Sequence, residues 1–479
     1  MMNGEKPTTF DELKIHDKLK ENIRNLGFSS MMPIQAQAVP LMINGSDVLA
    51  AAKTGSGKTL AFLIPMINFM LVNNVKQEDK IVGIIISPTR ELTIQTYEVA
   101  EGLVLNTGIK LGMAIGGTCK NDEIKKLKEG VNLLIATPGR LVDHMLHPEY
   151  FKSDNLKILV IDEADRILGD GFKLQLDEII KNLPKQRQTA LFSATQTKDV
   201  DALAGVSFQQ EPIYIGVDDE SETSTAAGLT QSYIICPADK RFRLLITFLR
   251  RNKKKKIMVF FSTRSSVRFH SLFFSKLEID HLAIHGDQSI QQRVEAFNKF
   301  RAKSNGILLC TDVAARGLDF PSVDWVIQYD PPTNEFEYIH RVGRSARAGS
   351  KGHALLFLME NEKGFLKILE NSKVKLNKLP MPNDDKLTEI YFTTEKLMTE
   401  NRQLLTSAKD ALRSYLMSYE RNPLKDCFNV EKLDIEGISK SFGFNEMPYL
   451  DIKDVKSKEE NGAWIKKEKA KNARKTNNK

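Results

Sequence analysis

The stretches VLAAAKTGSGKT (48–59) and LVIDEAD (159–165) decide the fold of this chain. In the first stretch, small and apolar residues of a predicted strand lead into a tight turn at 55–57, and a helix is predicted to start near Thr59. This matches the phosphate-loop pattern GxxxxGK[ST], except that Ala52 stands in place of the first glycine. Small residues let backbone N–H groups close on phosphates at a helix N-terminus, so the stretch predicts a nucleotide phosphate site.

The second stretch ends an apolar run with two adjacent acids. At a strand end, Asp162 can hold Mg²⁺ directly or through water. Glu163 can orient and deprotonate an attacking water. In the phosphate loop, Lys58 supplies a cation for the β- and γ-phosphates and the Thr59 hydroxyl can ligate Mg²⁺. Two such acids alone would indicate a solvated turn, but about 100 residues after a phosphate loop they favour a nucleotide site.

Other apolar, β-branched runs also stop abruptly at polar clusters. They are IVGIIIS (81–87), TALF (189–192), IMVFF (257–261), GILLC (306–310) and WVIQY (325–329). Continuous apolar strands are buried on both faces, which is typical of parallel sheets covered by helices. Ligands of such sheets bind beyond the carboxyl ends of the strands, where the polar clusters fall. The sequence therefore predicts an α/β fold with its sites at those clusters.

The chain of 479 residues is too long for one core and suits two domains with additions. The polar stretch VDDESETSTAAG (217–228) is predicted to be a linker between domains at 1–216 and 229–385. A helical, charged extension is expected over 386–454. The last segment, 455–479, holds nine Lys or Arg and three Glu, and so most of the net charge of +8. We expect it to be a disordered basic arm that either solubilises the chain or serves RNA contact or nuclear import.

The composition also indicates a compartment. No apolar run approaches the ~18–20 residues of a membrane span, and the opening residues MMNGEKPTTF lack the apolar stretch of a signal peptide. The cysteines are far apart without a CxxC pair, which argues against zinc or disulfides and for a reducing compartment. All of them are expected to be buried: Cys119, Cys236, Cys310 and Cys427. The KKKK run at 253–256 is predicted to be a solvated strand edge.

Taken with these motifs, residues 10 to about 385 resemble the DEAD-box RNA helicases of helicase superfamily 2. The resemblance rests on ordered segments: GFSSMMPIQ (27–35), PTREL (88–92), Gly116-Gly117, TPGR (137–140), DEAD (162–165), SAT (193–195), FFSTR (260–264), Gln291 to Arg293, TDVAARGLD (311–319) and HRVGRSAR (340–347). It implies two tandem RecA-like domains, an RNA-stimulated ATP hydrolase and a dependence on ATP and Mg²⁺. Met31-Met32 replaces a usual Pro-Thr and Ala346 a common glycine; neither change removes a reactive group.

The resemblance assigns the ATP site residue by residue. Gln35, in a Q motif at about 8–36, reads adenine through its donor and acceptor, with Phe10 as the upstream aromatic. Ser193 and Thr195 couple phosphate state to domain closure. Arg344 and Arg347 are implied arginine fingers, expected on one helical face if their segment is helical. The remaining implied nucleotide contacts are Ala51, Ala52, Lys53, Thr54, Gly55, Ser56, Gly57, Lys58, Thr59 and, at the ribose, Asp319.

The resemblance also implies the RNA contacts. They are Pro88, Thr89, Arg90, Gly116, Gly117, Thr137, Gly139, Arg140, Arg264, Thr311 and Asp312. These are short polar groups and backbone amides with few aromatic rings for stacking. We therefore expect backbone-directed, sequence-tolerant binding that distinguishes RNA from DNA through the 2′-hydroxyl.

Residues 407–444 resemble the C-terminal domain of several ribosome-biogenesis members of that family. This implies ribosomal RNA processing and large-subunit assembly, pre-ribosomal particles and assembly factors as partners, a monomeric enzyme, and location in the nucleus and nucleolus. The extension could equally be a helical brace on the second domain, and both interpretations are compatible. Two other functions stay open: an ATP-gated RNA clamp with the same catalytic residues, and a DNA helicase, which the DEAD signature disfavours.

Overall fold

The computed structural model describes residues 7–450 except 53–54, 170, 195–197, 218–224, 226–227, 313–322 and 347–350. Several predicted features lie outside the described residues. They are Lys53, Thr54, Thr195, Asp319, Arg347, most of the predicted linker and the basic tail.

The first domain is built on a parallel sheet, as predicted. Its described strands are β1 (Val48–Ala51), β2 (Gly83–Ile86), β3 (Leu111–Ala114), β4 (Leu133–Ala136), β5 (Ile158–Ile161), β6 (Gln188–Ser193) and β7 (Ile213–Gly216). Their order is β3-β4-β2-β5-β6-β1-β7. The central strands β2, β4 and β5 are buried along their whole length, which is why they are continuous apolar runs.

Helices cover both faces of this sheet and bury one apolar core on each. They are α1 (Asp17–Asn25), α2 (Pro33–Ile43), α3 (Lys58–Val72), α4 (Arg90–Leu103), α5 (Lys120–Glu129), α6 (Pro138–Met145), α7 (Ala164–Gly169), α8 (Lys173–Asn182) and α9 (Lys198–Ser207). The strand–turn–helix predicted from the phosphate-loop stretch is confirmed as β1 and α3.

The second domain repeats the architecture. Its described strands are β8 (Leu229–Ile235), β9 (Lys256–Phe260), β10 (Leu282–Ile284), β11 (Gly306–Cys310), β12 (Trp325–Gln328), β13 (Gly352–Leu358) and β14 (Asn377–Lys378). They lie in the order β10-β11-β9-β12-β13-β8-β14, and every pair is parallel. The helices are α10 (Arg241–Arg251), α11 (Arg264–Lys276), α12 (Ile290–Ala302), α13 (Glu335–Val342) and α14 (Gly364–Asn371).

The extension packs on the second domain as a helical brace. It consists of α15 (Tyr391–Glu400), α16 (Arg402–Arg421) and α17 (Ile435–Ser441). Phe442 lies with its ring 5.6 Å from that of Phe269 and 5.9 Å from that of Tyr415, centroid to centroid. One continuous apolar core therefore runs through the second sheet and the extension, across the predicted boundary at 385.

Two smaller predictions are wrong. Cys119 is exposed, whereas the other cysteines are buried, because it precedes α5 in a surface turn. Lys256 is buried in β9, while the rest of its lysine run is exposed. Its ammonium donates to the carbonyls of Arg301 at 3.2 Å and Lys303 at 2.6 Å, which replace the water it loses.

Across the described part of the chain, no helix combines the length and apolar character that crossing a membrane requires.

Candidate active site at the domain cleft

The phosphate loop is held in its turn by glycines that no other residue could replace without strain. Gly55 and Gly57 have φ of 80° and 88°, in the left-handed region. A Cβ at Gly57 would also lie 2.5 Å from Gln35 Nε2. Lys58 is buried at the start of α3, and its ammonium donates to the Ala52 carbonyl at 3.1 Å. The Lys58 ammonium therefore lies at the start of the predicted phosphate site, beside the Ala52 carbonyl.

Gln35 fastens the segment before α2 to this loop. Its Oε1 accepts from the Met32 N–H at 2.8 Å, and its Nε2 donates to the Gly57 carbonyl at 3.0 Å. Phe10 packs into the apolar core beside this segment and supports it. The reading of adenine by Gln35 and the contact of Phe10 with the nucleotide stay predictions.

Asp162 follows β5 and fits the cation predicted for this site. Its Oδ1 is buried and has no hydrogen-bond partner among the described residues. Burial, and next the negative charge of Glu163, raise the pKa of Asp162 above its ordinary value. A carboxylate oxygen without a partner, together with the Thr59 hydroxyl in the first turn of α3, suits the hard oxygen coordination of Mg²⁺. Mg²⁺ bound there would neutralise charge on the phosphates.

Glu163 is held in a strained backbone conformation by its surroundings. Its φ is 49°, in the left-handed region that a non-glycine residue rarely adopts. Burial favours the neutral acid, but the charges of Arg166 and Lys58 outweigh it and lower the pKa of Glu163. Arg166 Nη1 donates to Glu163 Oε2. The carboxylate is therefore ionised at neutral pH and accepts hydrogen bonds, which suits it to orient a water.

The second domain supplies the opposite wall of the cleft. His340 Nε2 lies 3.4 Å from Asp165 Oδ2 of the first domain. The side chains that meet at this point are Arg166, Phe260, Asp312, Glu337, His340, Arg341 and Arg344. Helix α13 ends at Val342, so Arg344 lies in the turn after the helix, and the condition for a shared helical face is not met at this residue. Its Nε donates to the His340 carbonyl at 3.4 Å.

Asp312 is already engaged with the protein. Its two oxygens accept from Arg341 Nε and Nη2, both at 2.6 Å, and Arg341 Nη1 donates to the Asp330 carbonyl at 2.7 Å. The carboxylate therefore fixes Arg341, and the RNA contact that the resemblance implies for Asp312 stays a prediction. Thr311, next to it, is buried at the end of β11.

The RNA candidates of the first domain gather at the carboxyl edge of its sheet. Pro88 and Thr89 follow β2, and the Thr89 hydroxyl accepts from the Leu92 N–H at 3.3 Å to cap α4. The Arg90 guanidinium lies over Gly116 after β3, where an added Cβ would be 3.0 Å from its Nη2. Pairing of β2, β3 and β4 brings these loops side by side.

The loop after β4 completes this edge. Thr137 precedes α6 and makes no side-chain capping bond to it, so its hydroxyl is not used in capping. An added Cβ at Gly139 would meet nothing within 4 Å, which marks an open approach. Gly117 has φ of 88°, so the loop after β3 turns sharply there. Arg140 Nη2 donates to the Thr118 carbonyl at 3.2 Å.

In the second domain, Arg264 begins α11 and is exposed, with Nη1 2.9 Å from Asp287 Oδ1. Ser193 ends β6 in the first domain, and its carbonyl accepts from the Ala52 N–H at 3.0 Å, next to the phosphate loop.

Sequence reasoning missed several residues that join the two halves. Arg293 Nη1 lies 2.7 Å from Glu91 Oε1, and both side chains are buried. The pairs Glu91–Arg293 and Asp165–His340 are far apart in the chain, so no local spacing reveals them. Arg166 could have been found, because it lies three residues after Glu163 at the start of a helix.

The protein-family models that match this chain divide it into the same first domain, second domain and extension. A family model described as DEAD/DEAH box helicase matches residues 32–203, and one described as helicase conserved C-terminal domain matches residues 240–349. Residues 401–450 match a model described as ATP-dependent rRNA helicase SPB4-like, C-terminal extension.

Individual proteins are similar in sequence to this chain along most of its length. It is similar to the probable ATP-dependent RNA helicase ddx18 of Dictyostelium discoideum, 49% identical over 92% of this chain and 74% of that protein. It is 48% identical to ATP-dependent RNA helicase HAS1 of Phaeosphaeria nodorum, over 93% of this chain and 73% of that protein. Among solved structures, Mss116p bound to single-stranded RNA and AMP-PNP superposes with a TM-score of 0.81 at 26% identity, covering 93% of this chain and 92% of that one.

Proposed function

We infer, from the premise that this chain belongs to the DEAD-box family of ATP-dependent RNA helicases, that it remodels ribosomal RNA during assembly of the large ribosomal subunit. The chain is an ATP-dependent RNA helicase. What we propose beyond this is the substrate, the setting and the role of each site residue.

The closed cleft is the observation that carries the catalytic assignment. The charge of Lys58 acts on Asp162 and Glu163 of the first domain, and His340 of the second domain also acts on Glu163 and meets Arg344 and Arg166 in the cleft. In our proposal the phosphate loop and Lys58 bind the phosphates, and Asp162 and Thr59 hold Mg²⁺. Ionised Glu163 accepts a hydrogen bond from the attacking water and orients it.

Arg344 stabilises charge on the transferring phosphoryl group only when the cleft is closed. Hydrolysis and domain closure are therefore coupled in this proposal. Arg347, Asp319 and Thr195 retain the roles that the resemblance implies.

RNA is proposed to lie along the carboxyl edges of both sheets. The groups there are backbone amides, short hydroxyls and two arginines of the first domain, Arg90 and Arg140. Such groups suit phosphates and 2′-hydroxyls more than base edges. Binding should tolerate sequence and prefer RNA over DNA.

The ribosomal setting is supported by the match of residues 401–450 to an extension named for an rRNA helicase. We propose that pre-ribosomal particles and assembly factors are the partners, that the enzyme acts as a monomer, and that it works in the nucleolus.

The test compares ATP hydrolysis with RNA, with DNA of the same sequence and with neither. Of the two nucleic acids, only RNA should stimulate ATP hydrolysis. Equal stimulation by DNA would overturn the RNA assignment. Release of a labelled strand from a short RNA duplex over many turnovers separates unwinding from an ATP-gated clamp, which would hydrolyse ATP without repeated release. Crosslinking in cells, followed by identification of the bound RNA, tests the ribosomal setting.

A further inference from the structure

We propose that Glu123 is a positioning residue for RNA binding, which locks the loop 115–118 and Arg140 into one rigid contact surface. Glu123 belongs to none of the motifs that mark the site. The inference rests on the proposed function, because Gly116, Gly117 and Arg140 are RNA contacts there.

The Glu123 carboxylate lies under the loop that follows β3. Its Oε1 accepts from the Ile115 N–H at 3.3 Å and from the Thr118 hydroxyl at 2.5 Å. The two donors lie at either end of the loop that contains Gly116 and Gly117. One carboxylate oxygen therefore ties together the two ends of the loop, which the Thr118 hydroxyl also spans at 2.7 Å from the Ile115 carbonyl.

The other oxygen reaches the following helix. Oε2 accepts from His144 Nε2 at 2.6 Å and lies 3.6 Å from Arg140 Nη1. Since a carboxylate can only accept, the proton of His144 lies on Nε2. Arg140 Nη2 donates to the Thr118 carbonyl at 3.2 Å, so the guanidinium is braced between the loop and the acid.

Because the Glu123 carboxylate is buried, it needs several hydrogen-bond donors close to it. The side chains of Glu123 and Arg140 are 8% and 12% exposed. A buried carboxylate is costly unless several donors compensate it, and three hydrogen-bond donors and a guanidinium do so here. Burial favours the neutral acid, but the His144 and Thr118 hydrogen bonds and the Arg140 charge together lower the pKa of Glu123. The acid is therefore charged at neutral pH.

Two physical effects predict opposite results for removing this charge. By Coulomb's law alone, loss of a negative charge next to a phosphate site favours RNA binding. If Glu123 instead holds the loop and Arg140 in place, its loss disorders two neighbouring sets of RNA contacts and weakens binding. The sign of the change decides between them.

The experiment uses the full chain with Glu123→Gln. We expect the dissociation constant for a fluorescent single-stranded RNA, with AMP-PNP present, to rise about tenfold, the scale of a lost charge-assisted bond. The RNA concentration that half-stimulates ATP hydrolysis should rise equally. The KM for ATP and the kcat at saturating RNA should stay within about twofold, since the cleft is untouched.

The matched control is Asp143→Asn. Asp143 pairs with Lys120 at 2.8 Å and is half-exposed, and its charge also acts on Arg140 and His144, but it holds no part of the loop. Removing it should leave RNA affinity unchanged or slightly tighter.

A second variant, Thr118→Val, covers the case in which Glu123→Gln fails to fold. Thr118 is exposed, and the change removes one loop donor to Glu123 with little change of volume. We expect RNA affinity to fall several-fold at unchanged KM for ATP. RNA binding by Thr118→Val or by folded Glu123→Gln that equals or exceeds that of the unmodified chain overturns the inference. An unmodified chain whose ATP hydrolysis RNA does not stimulate would instead overturn the proposed function.

Discussion

At the scale of single residues, the phosphate loop depends on a glutamine that comes before it in the chain. Gln35 is buried, with one amide atom accepting from Met32 and the other donating to Gly57. Because the Gln35 Nε2 donor faces the Gly57 carbonyl while Oε1 accepts from the Met32 N–H, only a side-chain amide of this length satisfies both partners. The position thus links the segment proposed to read the base to the loop proposed to bind the phosphates.

Gln35→Glu should raise the KM for ATP about tenfold, because a carboxylate cannot donate to the Gly57 carbonyl and instead sets two oxygen acceptors against each other. The matched control is Gln77→Glu, where an exposed amide donates to the Glu129 carbonyl at 2.9 Å. Steady-state ATP hydrolysis checks both variants. An equal KM in both would mean that the Gln35 amide has no part in shaping the loop.

Glu163 combines a strained backbone with an ionised, buried carboxylate. Glu163→Gln should lower kcat by about 10²–10⁴, the usual scale for a base in the active site, while ATP and RNA stay bound. The glutamine keeps the size of the side chain but loses the charge that orients water. Single-turnover hydrolysis beside equilibrium RNA binding checks this, with the exposed Glu178→Gln as control. Normal turnover in Glu163→Gln would rule out the water-orienting role.

At the scale of elements, parallel strands place most of the described candidate groups at the carboxyl edge of each sheet. The helix that follows each strand then fixes the groups in its first turn, as α4 does through its Thr89 cap. The extension works differently, because α16 packs along α11. Asp410 lies 3.1 Å from Arg268, and Ser414 bonds Ser265 at 3.1 Å.

The same helix covers a buried ion pair. Arg241 lies 2.7 Å from Asp330, and its guanidinium also reaches the Tyr415 hydroxyl at 3.4 Å. Tyr415→Ala should therefore destabilise the second domain by about 3–5 kcal/mol, the cost of deleting a buried aromatic side chain. The free energy of unfolding in urea measures this loss of stability. Tyr449→Ala, at a tyrosine 58% exposed, is the control and should cost little. Equal losses would mean that the extension does not share the core.

At the scale of the whole molecule, an ion pair and a histidine contact join the two domains in the described part of the chain. Arg293 and Glu91 are both buried at the interface, and His340, whose pKa burial lowers, reaches Asp165 across the cleft as a neutral imidazole. A charge pair that is buried only in the closed form stabilises that form over the open one. Closure in turn assembles the catalytic wall.

Arg293→Ala should weaken RNA binding with AMP-PNP by about tenfold or more, because it leaves Glu91 buried and unpaired in the closed form. RNA binding without nucleotide should change little. The ratio of the two dissociation constants is the measurement, and Lys299→Ala on the same helix, in an exposed pair with Glu295, is the control. An unchanged ratio in Arg293→Ala would show that this pair does not support closure.

The basic tail is predicted to contribute through its charge. Deleting 455–479, which carries nine Lys or Arg, should weaken RNA binding. It should also flatten the salt dependence of affinity by roughly 0.7 for each phosphate that the tail neutralises. The chemistry in the cleft should be unaffected, and nucleolar enrichment in cells should fall. A truncated chain with the same affinity, salt slope and location would leave the tail as a solubiliser.

The amino-acid sequence was enough to predict the fold class, which is confirmed, and to propose most of the candidate site. Apolar runs ending in polar clusters predicted both parallel sheets, because burial on two faces leaves a strand no polar positions. Local spacing predicted Lys58, Asp162 and Glu163, since each lies in a loop or turn built by its own neighbours. The family resemblance added Gln35 and Arg344, which no local pattern could have assigned.

Folding, and not the sequence pattern, reveals which charges are engaged by other parts of the protein. Asp312 is held by Arg341, Lys256 is buried and donates to two carbonyls, and Glu123 joins the loop 115–118 to helix α6. That the extension shares the core of the second domain is likewise decided only on folding. Such pairings depend on distances between segments that the chain brings together only on folding, and burial then decides whether a charge serves structure or ligand.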